Sequence, residues 1–188
     1  MRVSCVLQLC IICLALCSAT LRADDVKYEV TGVEDPMLTN VVNHVSSFRL
    51  ASNAKLNSRL RRKLVEDTKA SSINAMRPYG YFHPVVVVTI SPDKPGKWVV
   101  KVNIKPGLPV NIESLEIELS GPGEQLVELR QWRTDFPLSE GQALNQQFWD
   151  KAKQDALDIL ESSGFLNAAF TRHSIRVDTV ANSARLEL

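Results

Sequence analysis

The sequence predicts an α+β protein made of two tandem β-α-α-β-β modules, each a three-stranded sheet covered by two helices on one face. Three observations predict this architecture: strands with apolar and polar residues in alternation, helices with apolar residues three and four apart, and a second pass of the same order along the chain. Each predicted helix has one apolar side, so the helices of a unit must cover a sheet face.

The first unit is predicted as strand, helix, helix, strand and strand. Alternation indicates the strands, and spacings of three and four indicate the helices. The predicted bounds are 26–30 for the first strand, about 36–49 and 57–77 for the helices, and 82–90 and 98–104 for the last two strands. Turn-forming residues at 91–96 separate those two strands.

The second unit repeats this order. Its predicted strands cover 115–119, 166–177 and a segment from 184 onward, and its predicted helices cover about 124–133 and 145–162. The longer helix has Phe148, Ala152, Ala156 and Leu160 at four-residue steps. Trp149 points about 100° away from Phe148. One of these two rings faces the core, and the other is exposed or contacts the first unit; the sequence leaves both assignments open.

Four glycines make the repeat testable and are predicted to form structural turns. Gly80 and Gly164 end the second helix of each unit, with apolar residues four and seven positions before each. Gly32 and Gly121 close the first strand of each unit, with apolar residues two, four and six positions before each. Matching offsets at both ends of a unit indicate an internal repeat. The join at 105–109 contains two prolines and is expected to be stiff.

Residues 1–23 have the layout of a secretory signal peptide: a basic start, an apolar stretch and a small residue at the exit. Cleavage after Ala19 and after Ala23 fit equally well. An uncleaved anchor is the alternative, but the apolar run is shorter than the roughly 20 residues that span a membrane. The predicted division of the chain is therefore a signal peptide at 1–23, a first module at 24–106 and a second module at 107–188, with its last strand apparently cut short.

All four cysteines lie in the predicted leader: Cys5, Cys10, Cys13 and Cys17. The exported chain then has no disulfide and no cysteine-ligated metal. Leu16 precedes Cys17, where a lipoprotein processing site needs a small residue, so we do not expect a lipid anchor. Losing Arg2 and Arg22 leaves 20 basic against 21 acidic residues, a net charge of −1. That balance does not predict a nucleic-acid partner.

The sequence predicts neither an enzyme nor a cofactor site. His44, His83 and His173 have no metal-ligand spacing, and His83 is expected to be a packing residue. The glycines form no phosphate-binding loop, and no nucleophile elbow is present. We therefore expect no catalytic residue, no metal, no cofactor and no small-molecule substrate.

Two segments are candidates for contact with other macromolecules. The basic run Arg59, Arg61, Arg62 and Lys63 either docks on an acidic partner or anionic lipid, or is a solvated helix face with Glu66 and Asp67 as counter-charges. The uncharged strand Val85, Val86, Val87, Val88, Thr89 and Ile90 is a candidate peptide-binding edge. Its alternative is a strand buried on both faces.

Chain connectivity indicates which strand lies at the edge. The second and third strands of a unit are joined by a tight loop and pair as a hairpin. The first strand reaches them through two helices, so it can lie on the far side of the third strand. The third strand is then central, and the second strand leaves one row of backbone N–H and C=O groups free for an incoming chain.

Two segments carry a resemblance to a known family. Residues 77–84, with an aromatic pair after Gly80, and residues 105–112 at the join resemble the POTRA domains of TamA-type proteins in the Omp85 family. Pro78 departs from the family pattern and is expected to end the helix early. The resemblance implies a non-catalytic periplasmic arm, attached to the outer membrane if the full-length protein has a C-terminal barrel.

The resemblance also implies partners. These are unfolded outer-membrane or secreted polypeptides, and an inner-membrane-anchored, TamB-like subunit. Two alternatives remain: the POTRA arm of a two-partner secretion transporter, and a structural docking scaffold that binds no client. The last predicted strand has no predicted end, so we expect the intact gene to encode a third module and then amphipathic strands of roughly 9–11 residues.

Overall fold

A computed structural model describes residues 25–46, 56–94 and 97–188. The predicted leader, residues 47–49 of the predicted first helix, and Pro95 and Gly96 of the predicted turn lie outside the described residues. In the described part, no helix is both long enough and apolar enough to cross a membrane.

The first unit contains three strands and two helices in the predicted order. They are β1 (Asp25–Thr31), α1 (Met37–Ser46), α2 (Ser58–Met76), β2 (Val85–Lys94) and β3 (Lys97–Lys105). The sheet order is β1-β3-β2, with β1 parallel and β2 antiparallel to the central β3. The parallel pair needs a long crossover, which α1 and α2 supply, and the antiparallel pair is a hairpin. This is the strand order that connectivity predicts.

The second unit has the same topology. Its elements are β4 (Asn111–Glu116), α3 (Val127–Thr134), α4 (Gln146–Ser162), β5 (Ser174–Asp178) and β6 (Ser183–Glu187). The sheet order β4-β6-β5 matches that of the first unit, again with a central last strand. The predicted α+β fold class, with two three-stranded sheets and two helices for each, is confirmed.

Several predicted boundaries in the first unit are wrong by a few residues. β2 begins at Val85 instead of Phe82 and extends through the predicted turn to Lys94. Pairing continues because Pro92 lies opposite Trp98, with a register shift between Pro92 and Lys94. Proline is tolerated there because β2 is an edge strand. As expected from Pro78, α2 ends at Met76, and a short 3-10 turn over Arg77–Tyr79 follows.

The second unit differs more from its prediction. β4 starts and ends earlier than 115–119, and β5 overlaps the predicted 166–177 only at 174–177. The reason is that each edge strand ends where its hydrogen-bonded partner β6 ends, whatever its own alternation. Leu166, expected in a strand, is 77% exposed. A 3-10 turn at Pro122–Gln125 replaces the predicted start of the first helix.

Each unit has its own apolar core. Val41 and Val45 of α1, Met76 of α2 and the inward residues of β3 form the first core. Val110, Ile112, Leu144, Trp149 and Leu186 belong to the second. The sequence left open whether Phe148 or Trp149 faces the core, and the structure shows that Trp149 does. Trp149 is 2% exposed and Phe148, although in line with Ala152 and Ala156, is 50% exposed.

Candidate binding edge and the joint between the units

β2 presents one apolar face to solvent. Val85 and Val87 are 61% and 55% exposed, whereas Val86 between them is 4% exposed and belongs to the first core. The alternative of a strand buried on both faces is therefore wrong. β3 pairs with one edge of β2. In the described part of the chain, no strand lies beside the other edge of β2.

The β2 edge differs from the other three sheet edges in its charge. Val85 to Ile90 carries no charged residue, although β2 ends in Asp93 and Lys94, while β1 contains three charged residues and β4 and β5 contain two each. Those charges are paired across the open faces: Lys27 with Glu29 at 2.9 Å, Arg185 with Glu113 at 3.2 Å, and Arg176 with Glu187 at 3.2 Å. Charged side chains protect sheet edges against pairing with other chains. The six-residue segment of β2 lacks this protection.

A groove lies between the end of this segment and α2. Its lining residues are Arg61, Arg62, Val65, Glu66 and Ile90, and its volume is about 310 Å³. Val88 and Ile90 contact the first core from the same side of β2 as the groove. A strand placed along β2 would therefore have α2 beside its inward-facing side chains.

The basic run is an exposed helix face in which the four residues have different surroundings. The Arg61 guanidinium lies 4.3 Å from the centre of the Trp98 ring, and its Nε donates to the Leu56 carbonyl at 3.1 Å. Lys63 pairs with Asp67 at 3.0 Å, one of the counter-charges that the sequence indicated. Arg59 and Arg62 make no ion pair within the residues that the structure describes.

The segment that follows α2 joins the two units. The Val110 amide donates to the Gly80 carbonyl at 2.8 Å, and Gln147 Nε2 donates to the Tyr79 hydroxyl at 3.0 Å. Phe82 packs against the second core, whereas Tyr81 packs against the first. The residues that carry the family resemblance are thus also the contact between the units, which no sequence pattern indicated.

His83 does not have the predicted packing role. It is exposed, and its Nε2 lies 3.1 Å from the carbonyl oxygen of Thr179 in the second unit. Nowhere in the described ranges do three or more His, Cys, Asp or Glu side chains come close enough to hold a metal ion.

The predicted turn glycines all have positive φ angles. φ is 92° at Gly32, 84° at Gly80, 89° at Gly121 and 90° at Gly164. Gly32 and Gly80 also sit against other backbone: a Cβ would lie 2.0 Å from the Ile104 oxygen at the former and 2.8 Å from the Leu144 oxygen at the latter. Both positions therefore need glycine for conformation and for space.

A second concave surface lies in the second unit. This cavity of about 500 Å³ is bounded by residues 117–124, by α3 and α4, and by residues 164–172. Leu129, Trp132, Leu160 and Phe165 supply apolar wall. The sequence did not indicate it, because its walls come from four separate segments.

The chain is similar to several solved structures, two of which are described as POTRA domains. The chain is 15% identical to BamA POTRA3-5 of Haemophilus influenzae, with a TM-score of 0.39, covering 88% of this chain and 59% of that one. It is 16% identical to POTRA1-2 of the periplasmic domain of Omp85 from Anabaena, with a TM-score of 0.34 and coverages of 88% and 93%. For CdiB from Escherichia coli, the identity is 16%, the TM-score 0.36, and the coverages 87% and 26%.

A family comparison gives a more specific result for the first unit. Residues 27–106 match the family described as POTRA domain TamA domain 1. The matched segment begins within β1 and ends just after β3, so it contains the whole β-α-α-β-β order of the first unit. Residues 27–106 therefore belong to the family of TamA-type first POTRA domains.

Proposed function

We propose that this chain is the periplasmic polypeptide-binding arm of a factor for outer-membrane protein assembly or autotransporter secretion. Its clients are unfolded outer-membrane or secreted polypeptides, and a TamB-like, inner-membrane-anchored subunit is a further partner. The family match supports the POTRA assignment of the first unit. The predicted leader at 1–23 supports export to the periplasm.

The uncharged, exposed edge of β2 is the observation that carries the proposal. An extended client lies beside Val85 to Ile90 and continues the sheet β1-β3-β2. Its backbone N–H groups donate to β2 carbonyls, and its carbonyls accept from β2 N–H groups. Because these bonds involve backbone alone, clients of many sequences bind, and no chemical reaction is required of the protein.

Side chains add affinity on both faces of the added strand. On the open face, client residues contact Val85 and Val87, which are exposed in the free protein. On the opposite face, client residues lie over the groove beside α2. A segment with alternating apolar residues, as in a barrel strand, presents apolar side chains to one of these faces and polar side chains to the other.

The test is an NMR titration of residues 24–188 with an extended peptide that has the alternation of a barrel strand. We expect amide shifts concentrated between Val85 and Ile90. Val87→Pro, which removes one backbone N–H, should weaken binding, whereas Val87→Thr keeps the backbone donor and should bind within about threefold of the parent. Thermal unfolding of each variant separates lost binding from lost folding. Shifts confined to the helices, or none at millimolar peptide, would contradict strand addition.

The joint favours a second candidate function, a docking scaffold for partner subunits. The bonds from Val110 to Gly80 and from Gln147 to Tyr79 tie the units to each other. A scaffold would bind a folded partner and leave the β2 amides unshifted by client peptide. The same titration therefore separates the two functions. It does not separate the arm of an assembly factor from that of a two-partner secretion transporter, for which client identity is decisive.

A further inference from the structure

The first turns of α2 carry a concentration of positive charge that the described residues neutralise only in part. Arg59, Arg61, Arg62 and Lys63 lie there, and the first turn contains no acidic residue. The amino-terminal end of a helix is itself positive, so cations at that end lower the stability of the helix. Lys63 alone among the four has an ion-pair partner, Asp67, in the part of the chain that the structure describes.

Two of these cations line the groove beside β2. Arg61 and Arg62 share its wall with Val65, Glu66 and Ile90. The three charged groups sum to one positive charge. Arg61 is held by the Trp98 ring and by the Leu56 carbonyl, so its guanidinium is already positioned before any ligand arrives. Arg62 has no partner in the described ranges and is available to pair with an anion.

The geometry of strand addition places a ligand side chain at this charge. An added strand lies about 4.8 Å from β2, and its side chains alternate between the two faces. The inward-facing residue opposite Ile90 therefore enters the groove beside Arg62. Inward-facing residues two and four positions away lie opposite Val88 and Val86, which contact the apolar core.

We propose that the strand bound at β2 carries an aspartate or glutamate opposite Ile90, paired with Arg62, and apolar residues two and four positions away. This inference rests on the proposed strand addition and names the class of polypeptide that binds best. A lysine at the same position would enter a wall of two arginines and one glutamate, whose net charge is positive, so the groove selects against it.

Three peptides that differ at one position test the proposal. Each alternates valine and threonine, and the variable residue is glutamate, glutamine or lysine. We expect residues 24–188 to bind the glutamate peptide roughly two to five times more tightly than the glutamine peptide, since exposed ion pairs contribute modestly, and to bind the lysine peptide least. The preference should shrink as NaCl rises from about 20 to about 500 mM.

Two variants test whether Arg62 is the residue that gives the preference for glutamate. Arg62→Gln should bind the glutamate and glutamine peptides equally, while keeping affinity for the glutamine peptide. Arg59→Gln, on the same helix face but outside the groove, is the matched control and should keep the preference. Both are exposed positions, and thermal unfolding should confirm that each variant folds.

The outcomes separate the inference from the proposed function. Equal binding of the glutamate and glutamine peptides, with shifts at β2, overturns the acidic preference and leaves strand addition intact. A preference that survives Arg62→Gln also overturns it. Failure of all three peptides to shift β2 overturns both proposals. Binding to anionic lipid vesicles that both arginine variants weaken equally, without any peptide preference, would instead assign the basic run to a membrane surface.

Discussion

At the scale of single residues, three glycines have similar positive φ angles and differ in their surroundings. A Cβ at Gly164 would meet nothing within 4 Å, at Gly80 it would meet the Leu144 oxygen at 2.8 Å, and at Gly32 the Ile104 oxygen at 2.0 Å. The sequence marked all of them by position alone. Comparing the three positions therefore distinguishes the loss of stability caused by a positive φ from the loss caused by a close backbone contact.

Alanine at these positions should give a graded loss of stability. Gly164→Ala should lower the free energy of unfolding by about 1–2 kcal/mol, the cost of left-handed backbone for an L-residue. Gly80→Ala should lower it further, and Gly32→Ala most of all, because backbone atoms must move as well. Urea denaturation measures the series. Equal costs at the three positions would contradict the contact argument.

A second residue-scale feature is a pair of stabilised carboxylates in the second unit. Hydrogen bonds and the charge of Arg185, together with the Ser183 hydroxyl, lower the pKa of Glu113. The Ala181 and Val180 amides lower the pKa of Asp178. Both groups lie on or next to strands that pair with β6, so their ionisation is linked to the second sheet.

Acid should weaken the second unit through these groups. A lowered pKa in the folded protein adds stability that is fully present above the ordinary carboxylate range, about pH 4, and is lost as pH falls through the lowered pKa. Glu113→Gln should therefore flatten the fall in stability between about pH 4 and pH 2. Glu118→Gln, an exposed glutamate next to β4, is the control. Urea unfolding at several pH values measures the slopes, and identical slopes for the two variants would contradict the linkage.

At the scale of elements, α4 shows how packing selects one of two adjacent rings. Trp149 contacts Phe136 edge-on, with centroids 6.1 Å apart, and Phe136 in turn contacts Trp132 at 5.4 Å. The Trp132 indole donates to the Ala152 carbonyl at 3.0 Å, which fixes α3 against α4. Phe148 lies outside this aromatic cluster and is half exposed.

Replacing the two rings should have very different effects. Trp149→Ala removes a buried ring and should lower the free energy of unfolding by about 3–5 kcal/mol. Phe148→Ala, one position earlier on the same helix, should cost less than about 1 kcal/mol. Chemical denaturation of both variants measures the difference. A larger loss for Phe148→Ala would mean that this ring is covered by something other than the described residues.

At the scale of the whole molecule, the segment after α2 distributes its side chains between the two units. Tyr81 packs against the first core and Phe82 against the second, although both precede β2 of the first unit. Tyr81→Ala should therefore reduce hydrogen-exchange protection mainly in β3, and Phe82→Ala mainly in β6. We expect each change to cost about 1–2 kcal/mol, since both rings are partly buried. Loss of protection in β3 for both variants would contradict a shared joint.

The division into two folding units remains a prediction, and limited proteolysis tests it. Leu108 in the join is 76% exposed. In the loop 138–141 between α3 and α4, Leu138 is 4% exposed, but residues 139–141 are exposed. We therefore expect the first cuts at 106–109 or in the loop 138–141, before any cut elsewhere, because a protease needs accessible backbone. The two fragments from the cut at 106–109 should each keep protected amides. First cleavage inside a strand or helix, or a core that resists division, would argue for a single cooperative unit.

The sequence by itself determined the order of elements, the repeat and the central position of β3. These follow from local alternation, helical spacing and the length of the connections, all of which are readable along one chain. It also marked the uncharged segment of β2, because the absence of charge is a property of composition.

Tertiary structure alone decided the features that depend on a second surface. β4 and β5 end where β6 offers no partner. The alternation within each segment therefore predicted the wrong bounds for β4 and too great a length for β5. Trp149 is buried instead of Phe148 because α3 and Phe136 lie on its side of α4. Phe82 and His83 contact the second unit because the chain folds back at Gly80. Such choices depend on which residues from distant segments meet, and periodicity within one segment does not contain that information.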